Sequence, residues 1–558
     1  MKKTILLTLL IGSSTAFSQN ALNIPPTITS TNINLTLQEG THQFYVGDTV
    51  NTMGANGSLL GPTLIMNQGD AVNITVDNQL QDTTTIHWHG MHVAPENDGG
   101  PHSIIPPGTI WNPQFTVMDK AGLNWYHPHL HMQTNKHVSK GIAGMIIVKD
   151  TEEAALSLPR TYGVDDFPLV IQTKGFDAAG EIEWMGHMDT MVLANGTVDA
   201  FLDAPAQIVR FRVLNGSSQR AYKLGLTGNM AFHVIGTDGG LLASPVSLTR
   251  YQIAPGQRAD ILVDLSTLQG QSIQLLSFGS EIGNAIYGSS QPGMAPFMTL
   301  PGYGSNPLNG SDYVILDINV QAPTVSPTPI TTIPSTLAVH SPLLEGTEDD
   351  TRLLTFTSTN QIAGPFLING AGFDMNVVNY TIPLGNREIW TLRNQTPIAH
   401  PFHIHDVQFY ILDINGNPPP PELQGLNDVV LVPAGMGTVR FITEFLDFAS
   451  DTVPFMYHCH MLQHEDQGMM GQFKVINTLS IDEFGEIDNI NIYPNPSIDG
   501  AINIKVGNYS GELTISDITG RMVNQIRVNS QSITKLSLET GVYYLSNSLG
   551  RTTSFVVR

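Results

Sequence analysis

Histidine stands at alternate positions four times in this chain: His87-Trp-His89, His127-Pro-His129, His403-Ile-His405 and His458-Cys-His460. On an extended strand, residues i and i+2 share a face, so each pair presents two imidazoles side by side. On a helix the two rings would diverge. One such pair can arise by chance; four in one chain call for a common purpose. Eight imidazoles buried together without a cation would carry a heavy desolvation cost. The pattern therefore predicts an all-β fold that gathers these pairs around metal ions. The composition agrees: 52 Gly, 35 Pro and only 13% charged residues suit many short strands joined by turns.

The pairs sit inside a threefold repeat. Strand-like runs at 71–76, 208–213 and 388–392 each lead into an asparagine: Asn78, Asn215 and Asn394. Each is followed by a turn, Ile105-Pro-Pro-Gly108, Ile253-Ala-Pro-Gly256 or Val432-Pro-Ala-Gly435. Asn78 lies nine residues before His87, and Asn394 nine before His403. The same step from Asn215 reaches Leu224, with Leu226 at the next alternate position. The outer copies thus carry His-x-His where the middle copy carries Leu-x-Leu. This predicts three β-sandwiches at 38–150, 160–321 and 337–478, the outer two building a site and the middle one acting as a spacer. The proline-rich segment 322–336 reads as a linker. From residue 487 to 558 the chain has alternating strands and no clustered histidines, and reads as a separate small β-sandwich.

Cys459 is the single cysteine, so no disulfide can form within the chain. A buried core thiol is the bland reading. Its neighbours favour another. If His458 and His460 face one way along a strand, Cys459 faces the other and can ligate a separate metal. His400 and His464 can supply two nitrogens, and Met469 can sit at a long axial distance. Two histidines, a thiolate and a weak thioether make the blue-copper electron-transfer arrangement. Zinc is the rival, although it has little use for an axial thioether or a redox path. The backbone from Cys459 to His458 and His460 would wire this centre to the eight-histidine cluster.

At this point the motifs HWHG, WYHPHLH, HPFHIH and HCHMLQHEDQGMM resemble, in order, the four copper signatures of the multicopper oxidases. The likeness spans about residues 38 to 478. It implies three cupredoxin-like Greek-key domains, four copper ions and four-electron reduction of O2 to water. Carried over by motif position, His400, Cys459 and His464 would bind the type 1 copper, with Met469 axial. His87 and His403 would bind the type 2 copper. His89, His127, His129, His405, His458 and His460 would bind the type 3 pair. Asp98 and Glu465 match the family's proton-supplying acids, a role that water formation needs.

The ends of the chain suggest export. Lys2 and Lys3, the apolar run 5–11 and Ala16-Phe17-Ser18 fit a signal peptide over residues 1–18, too short to span a membrane. Tyr493-Pro-Asn-Pro496 and Gly541-Val-Tyr-Tyr-Leu545 resemble the sorting domain of type IX secretion cargo, which implies that machinery as a partner and a secreted or outer-surface location. No later apolar run is long enough for a transmembrane helix. A net charge of −23 disfavours nucleic acid as a partner.

The expected reaction is one-electron oxidation of a phenolic or aromatic small molecule, as in a laccase. Phe373-Asp-Met-Asn376 fits the bacterial laccase and cuprous-oxidase branch. Oxidation of Cu(I) or another metal ion is the alternative. Against it, Thr396-Pro-Ile-Ala399 stands where cuprous oxidases place Asp and Met, and no methionine-rich insertion precedes His400. Met185, Met188 and Met191, with His187, could line a helix face and are read as packing residues. His92, His102, His131 and His137 are read as supporting or surface residues. A copper store without turnover, and a structural protein of the same fold, are the readings from other classes. Both are disfavoured by a complete ligand set.

Overall fold

The structure, a computed structural model, describes residues 19–45, 47–295, 300, 303, 306–360, 364–477, 490–547 and 552–558. The expected signal peptide lies outside them. The chain divides into two compact units, Met1–Ile476 and Asn477–Arg558. It is all-β, and the first unit holds three cupredoxin-like sandwiches, each made of two sheets.

In the first sandwich, one sheet runs Asp48–Ala55, Asn32–Tyr45, Ala71–Asn78 and Ile110–Trp111. The other runs Thr27–Ile28, Thr63–Asn67, Gly144–Lys149, Gly122–His127 and His87–His89. The strand Asn32–Tyr45 starts ahead of residue 38, the edge expected from the sequence. In the third sandwich, His400–Ile404 lies between Val429–Val432 and Phe455–Cys459, so two histidine motifs are adjacent strands of one sheet. The matching strand of the second sandwich is Tyr222–Leu226. Its Leu224 and Leu226 face the apolar core.

The repeated asparagines do the same work in all three copies. The side-chain amide of Asn78 donates to Ile105 O at 2.8 Å, that of Asn215 to Ile253 O at 3.1 Å and that of Asn394 to Val432 O at 3.3 Å. Each thus ties the end of its strand to the first residue of its own Pro/Gly turn. The acceptor oxygens take backbone N–H groups two residues on, from Leu80, Ser217 and Thr396. All three amides are buried and satisfied. A hydrocarbon side chain there would strand buried carbonyls, at about 1–3 kcal/mol each.

The segment 322–336 runs between the second and third sandwiches and is anchored: Ile330 and Ile333 pack on the second sandwich, Leu337 is buried in it, and Thr324 donates to Gln207. Apolar residues between the prolines give it a surface to bury. One local expectation is corrected. Met185 and Met188 are on no helix; they sit exposed on a loop, and Met191 opens a strand.

The second unit has a three-stranded sheet, Ile490–Tyr493, Ala501–Val506 and Ile533–Ser537, and a four-stranded one, Met522–Val528, Gly511–Asp517, Gly541–Asn547 and Thr552–Val557. Alternate residues such as Ile502, Ile504, Leu513, Leu545 and Phe555 form its core. Among the described residues, no helix is long and apolar enough to cross a membrane.

Candidate metal centre

The eight paired histidines converge between the first and third sandwiches, all buried. Backbone carbonyls fix how the rings present themselves. His87 Nδ1 donates to Asp98 O at 2.9 Å, His127 to Pro128 O at 2.8 Å, His403 to Asp428 O at 2.9 Å and His458 to Cys459 O at 3.1 Å. A carbonyl only accepts, so in these four rings Nε2 carries the lone pair. The Nε2 atoms of His87, His127 and His403 are buried with no hydrogen-bond partner.

His89 is turned the other way. Its Nε2 lies 3.2 Å from Asp428 Oδ1, so its Nδ1 faces inward, 3.2 Å from His460 Nε2. His129, His405 and His458 bring three Nε2 atoms within 3.0–3.4 Å of one another. Donor atoms within 4.8 Å group as His87 with His89 and His403; His89 with His127 and His460; and His129 with His405 and His458. Seven of these rings are held neutral. Burial, and then the neighbouring imidazoles, push His89, His127, His129, His403 and His458 far below the ordinary histidine range. Burial lowers His460 to about 3 and His405 to about 4. Lone pairs aimed at each other in a buried cluster fit cations and little else.

A second donor set lies on the other face of Phe455–Cys459. Cys459 Sγ is 3.5 Å from His400 Nδ1 and 3.7 Å from His464 Nδ1. The outer ring nitrogens are engaged: Thr396 Oγ1 lies 2.7 Å from His400 Nε2, and the Tyr303 hydroxyl 2.7 Å from His464 Nε2. Met469 is buried in the same apolar cluster, and its carbonyl accepts from Cys459 N. Burial pushes the thiol up, so a cation is what would hold it as thiolate. The donor chemistry of both sets fits copper.

Both predicted acids are at the cluster. The carboxylate of Asp98 is 2.8 Å from His405 Nδ1 and 3.3 Å from His87 Nδ1. Burial alone would raise it, but these two imidazoles hold it below the ordinary carboxylate range. Glu465 lies 3.4 Å from His129 Nδ1 and 3.3 Å from His458 Nδ1, and neither carboxyl oxygen has a hydrogen bond. Burial, then the charge of Asp466, push it well above its ordinary value.

The middle sandwich is more than a spacer. Arg258 makes paired hydrogen bonds to Asp428, and also reaches Leu123 O and Asn124 Oδ1 in the first sandwich. Gly256 lies flat on His460, where a Cβ would come within 2.8 Å of the ring. Asp428, Arg258 and Tyr303 carry no sequence signal that marks them. The spare histidines support rather than join the set: His137 bonds Thr84, His102 bonds Gln472, His131 touches Phe373 and His92 is paired with Asp406 and Asp447.

Three sandwiches built around two such donor sets define a cupredoxin-type protein, and the comparisons narrow the class. Multicopper oxidase family models match residues 36–153, 177–272 and 346–478, and a secretion-system C-terminal sorting domain matches 491–556. The chain is 33% identical to multicopper oxidase mco of Staphylococcus haemolyticus, over 80% of this chain and 89% of that protein. It is 32% identical to the cell division protein FtsP of Sodalis glossinidius, over 82% and 92%. Among solved structures, a laccase-like multicopper oxidase, CueO, from Ochrobactrum sp. superposes with a TM-score of 0.71 at 32% identity, covering 82% of this chain and all of that one. A Campylobacter jejuni enzyme described as a metallo-oxidase gives 0.69 at 26%, covering 83% and 94%. The chain belongs to the multicopper oxidase family.

Proposed function

We propose that this protein is a laccase-like oxidase, which couples one-electron oxidation of a phenolic or aromatic donor to four-electron reduction of O2 to water. The single observation that carries the reading is the complete donor inventory, with Cys459 joined through its own backbone to His458 and His460. A store has no use for that link, and a structural relative has no need of a buried cluster of imidazoles when leucine packs more cheaply, as it does at Leu224 and Leu226.

His400, Cys459, His464 and Met469 would hold a type 1 copper. His87 and His403 would hold a type 2 copper. His89, His127 and His460 would hold one type 3 ion, and His129, His405 and His458 the other. Bound copper would accept single electrons at the first centre and supply four to O2 at the other three. The chain does the rest. Backbone carbonyls present Nε2 lone pairs without reorganisation on binding. The two strand neighbours of Cys459 give electrons a covalent route. Asp98 orients His87 and His405. Glu465, buried against His129 and His458, holds a proton beside the place where water forms. The ends of the chain support export by type IX secretion, to the medium or the cell surface.

A metal-ion donor is the second reading. Met294 seats its thioether against Gly435, whose neighbour Met436 is exposed. Gly435 N donates to Thr396 O, and Thr396 holds His400. Soft donors thus rim the Cys459 site. Oxygen uptake by copper-loaded protein, offered a simple phenol and Cu(I) in parallel, separates the readings. Uptake with phenol that vanishes in Cys459→Ser supports a laccase. Uptake with Cu(I) alone makes it a metallo-oxidase, and none with either donor ends both readings.

A further inference from the structure

Neither histidine beside Cys459 is open to a donor molecule. His400 is 0% exposed and His464 2%. Their outer nitrogens are both covered by hydroxyls, but the two covers differ. Thr396 is 1% exposed, has no ring, and spends its proton on Ile398 O. Tyr303 is aromatic and leads outward. Its ring stacks on His187 with centroids 4.2 Å apart and planes at 19°. His187 is half-buried, between Met185 and Met188, which are more than half exposed.

The arrangement is firmly built. Asp189 accepts from Arg220, Tyr287, Asn306 and Thr173. Tyr287 and Asn306 also donate to the carbonyl of His187. Tyr287 packs edge-on against Tyr303 at 5.1 Å. A surface loop with so many buried anchors is held for a reason beyond closing a turn.

We propose that electrons reach the Cys459 site along His187 and Tyr303, and that a flat aromatic donor docks on the His187 edge between the two exposed thioethers. This rests on the oxidase reading above. The donor loses one electron, which crosses the stacked rings and the His464 hydrogen bond to the copper that the Cys459 set would hold, while a phenol's proton passes to solvent at the half-buried His187 edge. The Tyr303 O–H bond stays intact, and no bond to the donor forms. Thioethers favour aromatic faces, which suits the rim to a phenol or aryl amine. The path makes the second sandwich the receiving surface, although it contributes no ligand.

The test uses full-length copper-loaded protein and follows anaerobic bleaching of the blue thiolate band by a methoxyphenol. His187→Leu and Tyr303→Leu are expected to keep the band and bleach several-fold more slowly. Tyr303→Phe keeps the ring but removes the hydroxyl that holds His464. It is expected to shift the reduction potential of the blue centre, whereas His187→Leu leaves that potential unchanged. Wild-type bleaching rates in His187→Leu, with its band intact, would overturn the path. So would an unchanged potential in Tyr303→Phe. If Tyr303→Leu does not load copper, His187→Leu decides, since the His187 ring stacks on Tyr303 and is not itself in the donor set. A wild type that never turns blue would mean the oxidase reading had failed and not the path.

Discussion

Arg258 grips Asp428 with two hydrogen bonds of 2.6 Å, one to each carboxylate oxygen, and Asp428 in turn lies 3.2 Å from His89. The three residues come from three different sandwiches. His89 is the one histidine of the cluster that an acid, instead of a carbonyl, turns so that Nδ1 faces in. Asp428→Asn keeps the shape and removes the charge. It is expected to lower copper content and weaken the near-ultraviolet absorption of the coupled pair, while the blue band survives. Full copper content with an unaltered spectrum would reduce the pair to cement. Asp428→Ala should cost more, up to about 3–5 kcal/mol, since buried Arg258 would lose its bidentate partner and keep only Asp238, 3.4 Å away, as an ion-pair partner.

Cys459→Ser is expected to abolish the blue colour and all turnover of organic donors. The eight-histidine cluster does not use the thiol and should still load, as metal analysis can show. Persistence of the blue band would refute the placement of the first centre.

Met469→Leu is expected to raise the reduction potential of the blue centre, because a weak axial donor is lost. An unchanged potential in a redox titration would mean that a different group is axial.

The two acids should separate. Glu465→Gln keeps a hydrogen-bonding shape and is expected to load copper and turn blue, but to reoxidise slowly after full reduction. Asp98→Asn weakens the hold on His87 and His405, and should lower copper affinity first. Equal reoxidation rates in Glu465→Gln and wild type would remove Glu465 from the proton supply.

Lys174 gives a pH dependence remote from the copper ligands. Burial pushes its ammonium group down to about 7, and it donates to the Ser139 carbonyl. Its partly buried neighbour His42 is lowered first by burial and then by the same charge. Unfolded, Lys174 would keep its proton until near its ordinary value of about 10.4. Between pH 7 and 9 the unfolded chain thus binds more protons, and stability rises with pH, by at most about 1.4 kcal/mol per unit. Lys174→Met should be the more stable protein at pH 7, and the difference should shrink toward pH 9. A gap that does not change across chemical denaturation curves at these two pH values would contradict the assignment.

What could be seen in advance has a physical pattern. The paired histidines were visible because period two is the geometry of a strand, and the asparagines because each copy needs the same tie. Cys459 could be placed opposite its neighbours on the same ground. Arg258 and Asp428 lie 170 residues apart and meet only in the assembled unit, so no local spacing announces them. Tyr303 lies outside any named strand or helix and has no periodicity to read. The methionine spacing at 185–191 matched a helix, but Gly186 and the anchors of Asp189 make it a pinned loop. The middle copy looked idle because it lacks ligands, and its role rests on a glycine and an arginine that hold other residues' rings.

The Pro/Gly turn that recurs in the three copies has met three different fates. Gly108, Gly256 and Gly435 share the same left-handed backbone, with φ of +69°, +84° and +65°. A methyl group on Gly108 would meet open space, on Gly256 the His460 ring, and on Gly435 the Met294 sulfur. The same loop occurs three times over, and each copy is hemmed in to a different degree. Mutational drift therefore meets only local backbone strain at the first turn. At the second it strikes a ring of the histidine cluster, and at the third it displaces the thioether that rests on the turn.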